Sequence, residues 1–349
     1  VAYRIRQKIK QLLFVFISWP KEPCTPFNIV LISSYGSRHP RATKRPNITC
    51  VSEFHLMGFS EVPELQPILF SLLVSMYLGT VLGNMLIILA ISSDYHLHTP
   101  MYFFLYNLAL DDIGFSSTTV PKMIVNIQTQ SRVISYVGCL TQMSLFLLFG
   151  SMDDMLLTVM AYDRFVAICH PLHYTVIMNP RLCVLLLFVC FFISLFNVLL
   201  HNLIVLQSSC FKDVEISNFL CHPSEVLNLS CFDILIKNII TYFIGSIFGF
   251  FPISGIFFSY YKIVSSVLKI PSASGRYKAF STCGSHLSVV CLFYGTGTGV
   301  YLGSSVSHSP SKGMVATFMY AVVTPMLNPF IYSLRNRDIN RALKMLHFR

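Results

Sequence analysis

The chain has 349 residues, of which 54% are hydrophobic and 11% charged, with a mean hydropathy of +0.63. A water-soluble domain carries about 25% charged residues, and a globule of ordinary surface-to-volume ratio cannot hide this much apolar surface from water. The net charge of +10 does not read as a nucleic-acid surface: the basic residues fall at the ends of apolar runs and within the first 45 positions, where the positive-inside rule accounts for them better than a binding stripe does.

Arg4, Arg6, Lys8 and Lys10 precede the apolar run Leu12–Trp19 and a Pro-rich polar stretch. This resembles a weak signal peptide with a short apolar centre. The preferred reading of residues 1–45 is an atypical N-terminal extension, disordered or an artefact of the gene model. Asn47-Ile48-Thr49 is a glycosylation acceptor just ahead of the first apolar run; Asn228-Leu229-Ser230, beside Cys231, is a weaker second one. Seven stretches then reach the roughly 20 residues a membrane helix needs, at about 67–91, 100–121, 138–165, 182–204, 238–262, 280–303 and 314–334. Long apolar runs favour helices over a barrel, so the expected fold is an all-α membrane protein. Residues 46–336 form a seven-helix bundle and residues 337–349 a cytoplasmic tail with a short helix. With the N-terminus outside, eleven Lys/Arg fall on the inner side and five on the outer side after the first span, which sets the C-terminus in the cytosol.

Several polar residues sit at depths where each needs a partner, and ionisable groups there usually carry function. Asn84 lies in the first span, Asp111 and Asp112 in the second, Asp153 and Asp154 in the third, and Asn328 in the seventh. Hard oxygen ligands from Asn84, Asp112, Asp153 and Asn328 suit a hydrated cation; Asp111 and Asp154 read as protonated, hydrogen-bonded acids. Pro252, Pro325 and Pro329 remove backbone hydrogen bonds inside spans and allow kinks. Cys139, Cys210, Cys221 and Cys231 fall on the oxidising outer side and read as two disulfides, with three pairings open. On the inner side Asp163 and Arg164 close the third span, and Arg164, Tyr260, the segment around Lys278, and Tyr332 lie near the cytoplasmic span ends, where they suit a polar latch that opens for a partner helix. His286 reads as a packed, hydrogen-bonded histidine; Cys283 one turn away keeps a copper or zinc ligand pair as a weaker alternative. No Ser-His-Asp order, zinc-protease motif or phosphate loop supplies an enzyme's chemistry.

Six stretches, in order over about residues 45–349, carry a resemblance: Gly83-Asn84, Leu97–Leu105, Met160–Leu172, Ser259-Tyr260, Lys278–Leu287 and Pro325–Asn336. The chain resembles rhodopsin-like G-protein-coupled receptors and, within them, vertebrate olfactory receptors. The resemblance implies that Asp163 holds the switch residue Arg164 at rest, and that Asn328, Pro329 and Tyr332 form the seventh-helix activation motif. It implies a sodium-binding role for Asp112, with Asp153 where the family usually carries Glu. It also implies a Cys139–Cys221 clamp and an extra Cys210–Cys231 bridge. The expected partners are membrane lipid, a small volatile odorant and the olfactory stimulatory G protein feeding adenylyl cyclase, at the plasma membrane of olfactory cilia. The only cofactor implied is an allosteric sodium ion. Phe165 stands for the commoner Tyr after Arg164, and Asp111 for a small or apolar residue.

By the same analogy, the ligand site lies between the third, fifth and sixth spans, lined by Phe146, Leu147, Gly150, Ser151, Phe248, Tyr294, Gly297, Thr298 and Tyr301. These are mostly apolar and include no basic residue, which favours a neutral ligand. Two rival readings are an ion- or proton-coupled transporter and a receptor relic without function. The odd span count and the lack of two matching halves speak against the transporter.

Overall fold

The computed structural model describes residues 52–58, 63–206, 211, 213–229, 239, 243–306 and 310–347. Residues 1–45, Asn47, Cys210 and Cys231 lie outside the described residues, as do the side chains of Lys278 and Tyr301. Glu53–Arg349 forms one unit.

Seven long helices cross this unit among the described residues. They are α1 (Gln66–Ser93), α2 (Pro100–Thr129), α3 (Tyr136–Cys169), α4 (Pro180–Leu206), α5 (Phe243–Val267), α6 (Ala273–Val306) and α7 (310–335). A further helix, α8 (Arg337–His347), follows. Five of the seven (all but α2 and α6) are long and apolar enough to span a membrane on composition alone. The other two are diluted, α2 by Asp111, Asp112 and Lys122, and α6 by its Gly, Ser and Thr residues. Large apolar side chains such as Leu82, Phe192, Phe196 and Phe257 are exposed around the bundle; these are the surfaces that lipid covers.

The helices overrun the expected spans. α2 does not stop at Pro121 but continues to Thr129, ending where Gln130 adopts a left-handed conformation with φ of 53°. α6 starts seven residues before 280, because the basic segment around Arg276 is helical although it lies beyond the hydrocarbon. Hydropathy reads membrane depth, not helix length. Proline starts α2 and α4, where its missing N–H costs nothing. Two π-helical turns interrupt the ladder, Ser246–Phe250 in α5 and Met319–Val323 in α7.

α3 is the hub, packed against α2, α4, α5 and α6, while α7 closes the bundle against α1, α2 and α6. Gly83 of α1 lets α7 come close: a Cβ there would lie 2.9 Å from Cγ of Pro329. On the outer side a small sheet has the order β2-β1-β3. β1 (Glu53–Leu56) pairs antiparallel with β2 (Val133–Ser135) and parallel with β3 (Glu215–Ile216). On the inner side the Asn336 side chain caps α8, accepting the N–H groups of Asp338 (3.0 Å) and Ile339 (3.3 Å). Tyr102 donates to the same Asn336 oxygen at 3.2 Å. Ile339 and Ala342 of α8 are buried while Arg341 and Lys344 are exposed, so the helix lies with one face on the bundle.

Candidate functional site: an aromatic cage, a polar core and an inner rim

Beneath the outer loop, rings from four helices and the loop converge. Phe146 of α3 lies 5.0 Å from Phe115 of α2, 6.0 Å from Tyr320 of α7 and 5.5 Å from the imidazole of His222 in the loop. Phe293 of α6 lies 5.3 Å from Tyr320. Most of these pairs are tilted or edge-on, the arrangement the ring quadrupole favours. The loop is fastened over them. The Cys139–Cys221 disulfide ties it to the first turn of α3. The backbone N–H of Cys221 donates to Gln142 Oε1 at 3.0 Å, and Gln142 donates onward to the Thr118 carbonyl of α2 at 3.1 Å. Asn218 Nδ2 donates to Thr317 Oγ1 of α7 at 3.1 Å. His222 is fully buried, and burial, with His201 nearby, lowers its pKa from 6.5 to about 4; it is neutral at physiological pH. Burial raises that of Glu225 in the same loop.

Of the residues expected to line a ligand site, Phe146 and Leu147 are buried on α3, and Gly150 and Gly297 face the ring of Tyr320. Three depart from the expectation. Ser151 accepts a hydrogen bond from Asn197 Nδ2 at 2.8 Å and so faces α4, not α5 and α6. Thr298 is exposed. The threonine turned inward is Thr296, 3.3 Å from Thr324 of α7, because α6 buries the 293, 297 and 300 face. Tyr294 is spent on a hydrogen bond to Asp154 of α3. Phe248 is half-buried on the π-helical turn of α5. The side of the cage formed by Phe115, Tyr320 and Phe293 was not picked out by sequence reasoning; apolar aromatics at helical spacing look alike whether they face lipid or a cage.

In the polar core, Asn328 Nδ2 donates to Asp112 Oδ1 at 2.8 Å, joining α7 to α2. Asp153 does not join them directly: its carboxyl meets that of Asp111. Asn84 turns away from the acids and donates to the Thr80 carbonyl at 3.1 Å and that of Pro325 at 3.5 Å. Asp111 Oδ2, Asp153 Oδ1 and Asn328 Oδ1 are buried without a hydrogen-bond partner among the described residues. They are acceptor oxygens of the kind a hard cation takes.

At the inner rim the expected pair of Asp163 with Arg164 is not formed. Asp163 Oδ1 accepts the Tyr174 hydroxyl at 2.8 Å. Arg164 is half-buried and its Nη2 meets the thioether sulfur of Met101. Sulfur is a weak acceptor, so most of the guanidinium's donor capacity stays uncommitted. Burial and the Asp163 charge raise the Tyr174 pKa well above 10, keeping the phenol a donor. Tyr260 Oη lies 2.7 Å from His286 Nδ1, and His286 Nε2 lies 3.0 Å from the Leu157 carbonyl. A carbonyl only accepts, so Nε2 carries the proton and Nδ1 accepts from Tyr260. Both ring nitrogens are thereby used in hydrogen bonds, the packed arrangement expected for His286. Among the described residues no three His, Cys, Asp or Glu side chains gather as a metal site. Tyr332 is buried on α7, its hydroxyl without a partner among the described residues.

A family model described as "Olfactory receptor" matches residues 73–348. The chain belongs to the olfactory receptor family. The receptor is 68% identical to human Olfactory receptor 7E24 over 320 residues, covering 92% of this chain and 94% of the relative. It is 68% identical to mouse Olfactory receptor 7E178, covering 87% and 92%. In fold it matches squid rhodopsin with a TM-score of 0.65 at 18% identity, over 82% of the receptor and 86% of that chain. It is therefore a seven-helix, multi-pass protein of the plasma membrane and not an enzyme.

Proposed function

We propose that the receptor binds small, volatile, neutral odorants in the outer half of its bundle. Binding then activates a stimulatory G protein that raises cyclic AMP. The observation that carries this is the path of α3, which presents Phe146 to the caged end and Arg164 to the inner rim. A ligand shifts such a bundle only if it binds the active arrangement better than the resting one. Among the described residues the rings of the cage carry no cation, His222 being neutral, and Asp154 beside them is bonded to Tyr294. Neither an anionic nor a cationic ligand would find a free counter-charge. In the core, Asp112, Asp153 and Asn328 would hold the sodium ion, whose charge would steady acids on adjacent helices. At the inner rim Arg164, Tyr260 and Tyr332, with Asn328 and Pro329 above, would meet the G protein as the bundle opens.

Arg164→Ala is the test. Its cyclic AMP response to a panel of volatiles in reporter cells should be lost, while surface staining matches the wild type. A full response at equal surface level would overturn the switch assignment.

A further inference from the structure

Tyr320 holds an unusual place. It sits on the π-helical turn Met319–Val323 of α7, and its ring is wedged between two glycines on different helices. A Cβ on Gly150 of α3 would lie 3.0 Å from the Tyr320 hydroxyl oxygen. One on Gly297 of α6 would lie 3.4 Å from its ring. The rings of Phe115, Phe146 and Phe293 surround it at 5.3–6.0 Å. One phenol thus spaces α3 from α6 and forms one wall of the cage. A side chain larger than hydrogen at 150 would press on it, while one at 297 would meet the ring in ordinary contact, and π-helical turns recur at functional sites.

We propose that Tyr320 is the specificity-determining residue of the ligand site. It limits the site to neutral ligands whose cyclic end is no wider than one six-membered ring, packed against Phe115, Phe146 and Phe293. This rests on the reading that the outer half of the bundle takes the ligand. Shortening Tyr320 opens a ring-sized space bounded by two glycines and three aromatic faces. Apolar cavities of that kind stay dry and accept aromatic guests. Adding a methyl at Gly150 pushes the phenol inward and narrows the site.

The test measures binding without the G protein. The purified full chain in detergent micelles is titrated with benzyl alcohol, cyclohexanone and 2-naphthol, and thermal stabilisation gives an apparent Kd for each. The wild type should bind the single-ring probes and take 2-naphthol at least about tenfold more weakly, the scale of pocket discrimination by a few carbons. Tyr320→Ala should reverse that order. Tyr320→Phe, which keeps the ring, should preserve it. Gly150→Ala should weaken all three probes by about tenfold. A purely structural role would lower stability in Tyr320→Ala without reordering the probes. An unchanged order in a folded Tyr320→Ala, or no stabilisation of any variant by any probe, overturns the proposal. Reordered binding with no cyclic AMP response would instead count against the signalling reading alone.

Discussion

At the residue scale, the inner rim shows how one hydroxyl redirects a charge. Asp163 and Arg164 are neighbours in sequence, yet the carboxylate is held by Tyr174 at 2.8 Å. A hydrogen bond to a charged group contributes about 1.5–3 kcal/mol, enough to compete with an ion pair between the buried Asp163 and the half-buried Arg164. Tyr174→Phe removes that donor and leaves the ring. Asp163 should then turn to Arg164 and hold it, lowering ligand-free cyclic AMP several-fold at equal surface level. Unchanged or higher basal signal in Tyr174→Phe would show that Tyr174 does not keep the arginine available. The adjacency of Asp163 and Arg164 was plain in the sequence, and so was their place at a span end. The competing partner was not, because Tyr174 reaches back eleven positions from the short helix Tyr174–Ile177, a geometry that hydropathy does not encode.

At the scale of elements, the outer loop is tied to α2, α3 and α7 by one disulfide and by hydrogen bonds through Gln142 and Asn218, with His222 buried on Phe146. The lowered pKa of His222 makes this attachment pH-dependent. A histidine whose folded pKa is depressed stabilises the fold fully above its unfolded value of 6.5, and loses that contribution as pH falls from 6.5 toward about 4. The raised carboxyl of Glu225 works in the opposite sense over its own range, so the comparison must be with a variant. After correction for intrinsic exchange rates, amide protection in residues 213–229 should fall between pH 7 and 5 in the wild type, and the fall should be much smaller in His222→Gln. Equal pH profiles would remove His222 from the loop's energetics. The helices themselves were largely legible as apolar runs. Their ends were not, since α2 and α6 continue beyond the hydrocarbon under local capping and helix propensity. The facing of α6 was misjudged by two positions, Thr298 for Thr296, because Gly and Thr carry too little apolar contrast to mark a face.

At the scale of the whole molecule, the bundle is held at both ends by different means. The outer end is covalently fastened and lined with rings; the inner end is held by hydrogen bonds that can exchange. His286 is the junction of that inner set. It donates to Leu157 on α3 and accepts from Tyr260 on α5 while riding on α6, so the three helices that part in the proposed opening share one imidazole. α5 and α6 otherwise make few contacts with each other, which leaves this junction a large share of the closure. Replacing both partners of a buried hydrogen bond can be nearly neutral, but removing one leaves the other unsatisfied at a cost of about 1–3 kcal/mol. His286→Leu keeps apolar volume and removes both bonds, so the closed arrangement should lose stability that the open one does not. A bias of about 1.4 kcal/mol shifts such an equilibrium tenfold. The expected outcome is raised ligand-free cyclic AMP at equal surface level, with a longer spin-label distance between the inner ends of α3 and α6. Tyr260→Phe, which removes only one bond, should give a smaller rise in the same direction. If His286→Leu leaves both the distance and the basal signal as in the wild type, the inner end is closed by packing alone, and the opening must be sought at Arg164 and α8.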